Sequence, residues 1–248
     1  MPNPSLDSEI RTHNLQSALS PMLIPADKER LLALIDGFSS RRVLVVGDLI
    51  ADELIYGEIA RVSREAPVLI LKYDTTEVVA GSAGNAANNV AALGGCASLA
   101  GILGADPEGR LLSSLQRGVD RSRVVRAKQY RTPIKTRVLA GGVHSTKQQV
   151  VRIDRETGWP LGEAVGRAFA KTLKPALTNC DAVLLSDYGS GLVTPALASA
   201  IRSALAKRSR PVPVLVDSPL PIGRFSAPDH LYPERVGGRA GPRHSDRR

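Results

Sequence analysis

Short runs of aliphatic residues without polar interruption mark the chain at residues 43–46 (VLVV), 97–102, 182–186 (AVLLS) and 213–216. Such runs read as strands buried on both faces of a parallel sheet. Between them the period changes to that of a helix. Residues 26–38 place Leu31, Leu32, Leu34 and Ile35 on one face, with Lys28, Glu29 and Arg30 in the first turns. Residues 85–93 form a short Ala-rich helix opened by Gly81-Ser82-Ala83-Gly84 and stopped by Gly94-Gly95. Residues 161–177 and 195–207 are two more helices. Three further segments, 67–73 (PVLILKY), 134–140 (IKTRVLA) and 149–153, interleave polar with apolar positions and predict an exposed antiparallel flap. From residue 43 the order is strand, flap, helix, strand, helix, strand, helix, strand, which predicts an α/β fold around a parallel sheet. Residues 1–25 show no sustained period, and none survives beyond residue 219.

Composition narrows the partners. The chain has 248 residues, 43% of them hydrophobic and 23% charged, with a formal net charge of +9. These are globular values, with room for a core. Residues 219–248 alone hold six Arg against two Asp and one Glu, so part of the positive excess is a tail effect. A basic surface favours phosphorylated ligands. Aromatics at 4% leave little for base stacking, which argues against nucleic-acid binding. Cys96 and Cys180 are far apart and without a Cys/His cluster, so no disulfide framework or zinc site is expected and a reducing cytoplasm fits. The uncharged stretch 78–105 contains six Gly and three Asn, which disfavours a membrane span. Charged residues near the N-terminus argue against a signal peptide.

Asp48 and Asp52 stand four apart where the first buried strand ends, the edge at which open α/β sheets bind ligands. Two short carboxylates there can accept hydrogen bonds from a polyhydroxyl ligand; the alternative is that Asp48 caps a turn and Asp52 is solvated. Gly81 and Gly84 let backbone N–H groups approach a ligand at a helix N-terminus, and Asn85 offers a donor and an acceptor to a hydroxyl. His144 reads as an exposed turn residue and Trp159 as a packing residue at a loop. Ser186-Asp187 with a distant His shows no nucleophile elbow, which excludes a hydrolase triad.

VLVVGD followed by Asp52, then AGSAGNAANNVAALGG, GILGADPEG at 101–109 and LLSDYGSG at 184–191, together resemble the ribokinase (PfkB) carbohydrate kinase family. RVSREAPV at 61–68, TPIKTRVLAGG at 132–142 and QQVVRIDRE at 148–156 resemble most closely the heptose-7-phosphate kinase domain of the bifunctional ADP-heptose synthesis proteins. The resemblance runs from about residue 41 to residue 218. It implies a ribokinase-like parallel-rich sheet between helices with a small β lid, which the flap strands match. It implies ATP- and Mg²⁺-dependent phosphate transfer to the anomeric hydroxyl of D-glycero-D-manno-heptose 7-phosphate. By motif, Asp48, Asp52, Gly81 and Asn85 hold sugar hydroxyls, and Asp187 lies between sugar and nucleotide. Lys135, Arg137 and Arg152 are candidates for the phosphate already on the substrate, because a dianion in a cleft needs cationic donors. Relatives often carry Lys where this chain has Ser190. Lid strands with exposed edges imply a homodimer.

The family's late Gly-Ala-Gly-Asp turn, which supplies the base and the anion-binding donors, occurs nowhere in the sequence. Neither does the TPN-x-E segment expected after VLVDS. After residue 218 the composition turns to Pro, Arg and Gly, as out-of-frame translation of a GC-rich gene does. With suitable codons, residues 229–246 read one base later spell TTCTPNESEVEQALGIA, which restores TPN-x-E. The expected organisation is a leader and helix over 1–40, a partial sugar kinase domain over 41–218 and a frameshifted, disordered basic tail over 219–248. The chain is then inactive as it stands. The alternatives are a non-catalytic sugar-phosphate-binding or dimerising remnant, and a ribokinase-family kinase for another phosphosugar.

Overall fold

The computed structural model describes residues 25–142, 146–156, 162–219 and 225. His144, Trp159 and nearly all of the basic tail lie outside the described residues. The described residues divide into two units, one ending at Ser40 and one beginning at Arg41. In the first, helix α1 (Pro25–Asp36) leads into a 3-10 turn, Gly37–Ser40.

The second unit is built on a five-stranded sheet of β1 (Arg42–Gly47), β4 (Cys96–Gly104), β5 (Val119–Ala127), β8 (Ala182–Ser186) and β9 (Val214–Asp217). Its order is β5-β4-β1-β8-β9, with every pairing parallel. The aliphatic run of β1 takes the centre because both of its faces are covered. Leu44 and Val46 point with Ala100, Ile102, Val183 and Leu185 toward α3 (Glu163–Thr178) and α4 (Pro195–Leu205), meeting Phe169, Leu173, Ala198 and Ile201. Val45 points the other way with Leu99 and Leu103, against Ala83 and Ala87 of α2 (Ala83–Ala92) and Leu111 of a 3-10 segment, Pro107–Ser114. Each full burial of a Leu, Val or Ile contributes about 1.5–3 kcal/mol, so this two-sided core is what carries the sheet.

A second sheet has the order β3-β2-β6-β7, from β2 (Leu49–Val62), β3 (Leu69–Ser82), β6 (Ile134–Gly141) and β7 (Gln148–Arg155). It is the lid, and it differs from the sequence expectation. β2 and β3 are 14 residues each, roughly 45 Å at 3.3 Å per residue. The pairings β2–β3 and β6–β7 are antiparallel, but β2–β6 is parallel. β2 follows β1 with only Asp48 between them, so Asp52 sits in a strand and not in a loop. Leu49, Ala51 and Ala80, at the root of the lid, are buried in the core of the main sheet, which ties the two sheets together.

Candidate functional site

The carboxyl ends of β1 and β8 lie side by side, and each is followed by a buried aspartate. Asp48 and Asp187 are both 2% exposed. The Asp48 carboxylate accepts hydrogen bonds from the backbone N–H groups of Tyr188 (2.8 Å), Ser190 (3.1 Å) and Leu192 (3.4 Å). Gly189 (φ 81°) and Gly191 (φ 87°) take the left-handed conformation, which curls the turn so that alternate N–H groups face one anion. The main chain of Asp48 is engaged as well: its N–H donates to the Ser186 carbonyl and its carbonyl accepts from Ala83 N–H, each at 3.1 Å. Burial pushes the Asp48 carboxyl above its ordinary value, the three N–H donors oppose this, and the neighbouring Asp187 charge adds to the rise. Asp187 accepts from Gly189 N–H at 2.9 Å and from the Ser218 hydroxyl at 2.6 Å.

Asp52 opens toward solvent instead, its side chain 23% exposed and ion-paired with Arg137 of β6. Gly81 lies opposite Ile50 across the β2–β3 pairing. A Cβ at Gly81 would stand 2.5 Å from Asp52 Oδ2, so only glycine lets that carboxylate settle there. Ser82, with φ 52°, makes the strained step from β3 into α2. Asn85 is exposed in the first turn of that helix.

The register aligns Asp52 with Lys135, Lys135 with Asp154, and Arg137 with Arg152. Alternation along each strand then puts all five side chains on one face of the lid. Arg152 pairs with Asp154 at 2.6 Å and holds its carboxyl below the usual range. Among the described residues Lys135 makes no ion pair at this distance range; its ammonium lies 5.4 Å from the centre of the Tyr188 ring. Lys135, Arg152, Asp154, Tyr188 and Ser190 line one cleft of about 240 Å³. Burial and the nearby Asp217 and Asp52 charges push the Tyr188 hydroxyl up. On the opposite face, Thr136 donates to Glu53, which Arg155 also pairs.

The eight candidate residues therefore divide. Asp52 and Arg137 form a pair over Gly81, Lys135 and Arg152 share the lid cleft, and Asn85 is exposed on α2. Asp48 and Asp187 lie behind, engaged in holding the 188–192 turn and the end of β9. Reasoning from sequence alone gave no role to Tyr188 or Asp154, although both lie inside the quoted motifs. Among the described residues no three His, Cys, Asp or Glu side chains are placed to hold a metal ion, and no helix is long and apolar enough to cross a membrane.

Comparison with known proteins gives one family. The model for the pfkB family carbohydrate kinases matches residues 40–218. The chain is 38% identical over 193 residues to the bifunctional protein HldE of Trichlorobacter lovleyi, covering 77% of this chain and 38% of that protein. It is 40% identical over 176 residues to the same-named protein of Geobacter metallireducens, covering 70% and 34%. The chain thus spans well under half the length of these relatives. Among solved structures, a Thermotoga maritima protein described as a possible 1-phosphofructokinase superposes with a TM-score of 0.51 at 18% identity, over 72% of this chain and 54% of that one. The fold is ribokinase-like, and the chain belongs to the pfkB family of carbohydrate kinases.

Proposed function

We propose that this chain is the sugar-binding and lid portion of a kinase that transfers phosphate from ATP to the anomeric hydroxyl of D-glycero-D-manno-heptose 7-phosphate. The observation that carries the reading is the meeting of two chemistries on one face of the lid. Asp52 presents an acceptor for sugar hydroxyls, while Lys135 brings an ammonium to the adjoining cleft, which the Arg152–Asp154 pair also lines. A phosphosugar needs both. Arg137 orients the Asp52 carboxylate, and its charge-assisted bond restricts that acceptor to one direction. Asn85 supplies a further hydroxyl partner from α2. Lys135 stands over Tyr188, so a phosphate drawn to its ammonium lies against the turn that carries Asp187.

ATP with Mg²⁺, when bound, supplies the phosphoryl group and neutralises the charge that develops on it. Among the described residues no three His, Cys, Asp or Glu side chains form a cage for the metal. Deprotonating the sugar calls for a base, and the family's Gly-Ala-Gly-Asp turn is missing from the sequence. General-base catalysis contributes about 10² to 10⁴-fold, so the chain is expected to bind sugar without measurable turnover.

Thermal-shift screening tests the binding claim. Stabilisation by heptose 7-phosphate, and not by ribose or fructose 6-phosphate, supports it; no response to any sugar phosphate sinks both kinase readings. Sequencing the gene around the Ser218 codon tests the origin of the basic tail. One extra base there, with an open frame running through Gly-Ala-Gly-Asp, identifies a damaged kinase, and an intact frame ending at Arg248 excludes it.

A further inference from the structure

We infer that Asp48 is a positioning residue and not a sugar ligand. Its carboxylate is the internal anion around which the 188–192 turn folds, and it thereby sets where Asp187, Tyr188 and Ser190 stand in the site. The proposal rests on the sugar-site reading only for what the turn is used for; the anchoring itself stands on geometry.

Three observations carry it. Asp48 is 2% exposed, whereas the Asp52 side chain is 23% exposed. Its oxygens are already occupied by N–H groups 140, 142 and 144 residues away in sequence. Its own N–H and carbonyl bind the end of β8 and the start of α2. One residue therefore joins three segments of the site: the end of β1, the first residue of the sugar-side helix and the turn after β8. The charged group beside it is Asp187, of the same sign, so the backbone N–H groups are what stabilises the buried charge. The dependence is mutual. Without an anion at the centre, three inward N–H groups of a turn with two left-handed glycines lose their acceptor, and the turn opens. The two carboxylates four apart thus have different tasks: Asp52 faces the ligand and Asp48 holds the frame.

Amide hydrogen exchange on the full chain, without ligand, tests this directly. In Asp48→Asn, exchange at Tyr188, Ser190 and Leu192 should rise by roughly tenfold, and in Asp48→Ala by about a hundredfold, with amides of Val45 and Leu99 in the central strands unchanged. Asp52→Asn should leave the turn amides at wild-type rates while weakening heptose 7-phosphate binding. Turn amides in Asp48→Asn that exchange as in the wild type would overturn the proposal. If the variants do not fold, the wild-type chain alone still decides. Couplings across the hydrogen bonds should connect the amide nitrogens of Tyr188 and Ser190 to the Asp48 carboxyl carbon, and their absence would refute the anchor. Neither measurement needs sugar. A protein that shows the anchor but binds no sugar phosphate would fail only as a sugar site.

Discussion

Replacing Gly81 with alanine is the sharpest test of how the sugar-side carboxylate is seated. The added methyl would stand 2.5 Å from Asp52 Oδ2 and 2.9 Å from its Cγ, against an ordinary contact of at least 3.4 Å. The carboxylate therefore has to retreat by about 0.9 Å, the difference between those distances. Losing one charge-assisted hydrogen bond to a ligand hydroxyl costs about 1.5–3 kcal/mol, or roughly tenfold to a hundredfold in affinity. Folding should suffer less, by about 1 kcal/mol, because the displaced group is a side chain partly open to water. Gly166→Ala serves as the control. Nothing lies within 4 Å of a methyl added there, and the position is exposed within α3, so this variant should gain about 0.5–1 kcal/mol and bind as the wild type does. Titration calorimetry with heptose 7-phosphate and thermal melts of both variants provide the readout. Affinity of Gly81→Ala within twofold of the wild type would show that Asp52 is not a sugar contact.

Three other outcomes are expected. Ser82→Gly should raise the melting temperature, since a φ of 52° costs a non-glycine residue about 1–3 kcal/mol and glycine's extra chain entropy returns only about 1 kcal/mol; a lower melting temperature would contradict this. Asp181, bonded to the Arg42 guanidinium and backbone, has its carboxyl well below the ordinary 3.8. Its contribution is therefore present above pH 3.8 and lost as pH falls below it, so Asp181→Asn should flatten the acid side of the stability curve, and an unchanged slope in denaturant melts below pH 4 would refute the assignment. Val151 and Ile153, 47% and 52% exposed on β7, leave apolar surface on the lid, and a homodimer through the lid would cover it. Light scattering should report a dimer that Ile153→Lys converts to a monomer, and a monomeric wild type would end the idea.

The main sheet was legible because its strands are aliphatic runs, and burial on two faces writes itself into local sequence. The lid was legible only in part. β2 escaped the pattern because Asp52, Glu53 and Glu58 interrupt its apolar positions, and what makes it a strand is pairing with β3 on one side and with β6, some 80 residues on, at the other. β5 escaped because it is an edge strand carrying Asp120, Arg121, Arg123 and Arg126, with only Val119 and Ala127 buried. Charges of this kind protect a sheet edge and hide it from a hydrophobicity pattern. In the site, the motifs located Asp48 and Asp52 but could not separate them. The partners that make Asp48 a buried anchor lie 140 residues away, and the arginine that holds Asp52 comes from another strand 85 residues on.

The central claim is that the lid face and the Gly81 end of α2 together recognise a phosphosugar. Calorimetric titration of the intact 248-residue chain with D-glycero-D-manno-heptose 7-phosphate tests it most directly, with the unphosphorylated heptose as comparison. Saturable binding of one phosphosugar per chain is expected, with the unphosphorylated heptose at least tenfold weaker because the Lys135 ammonium then lacks an anion. No heat of binding, or equal affinity for the two sugars, would contradict it.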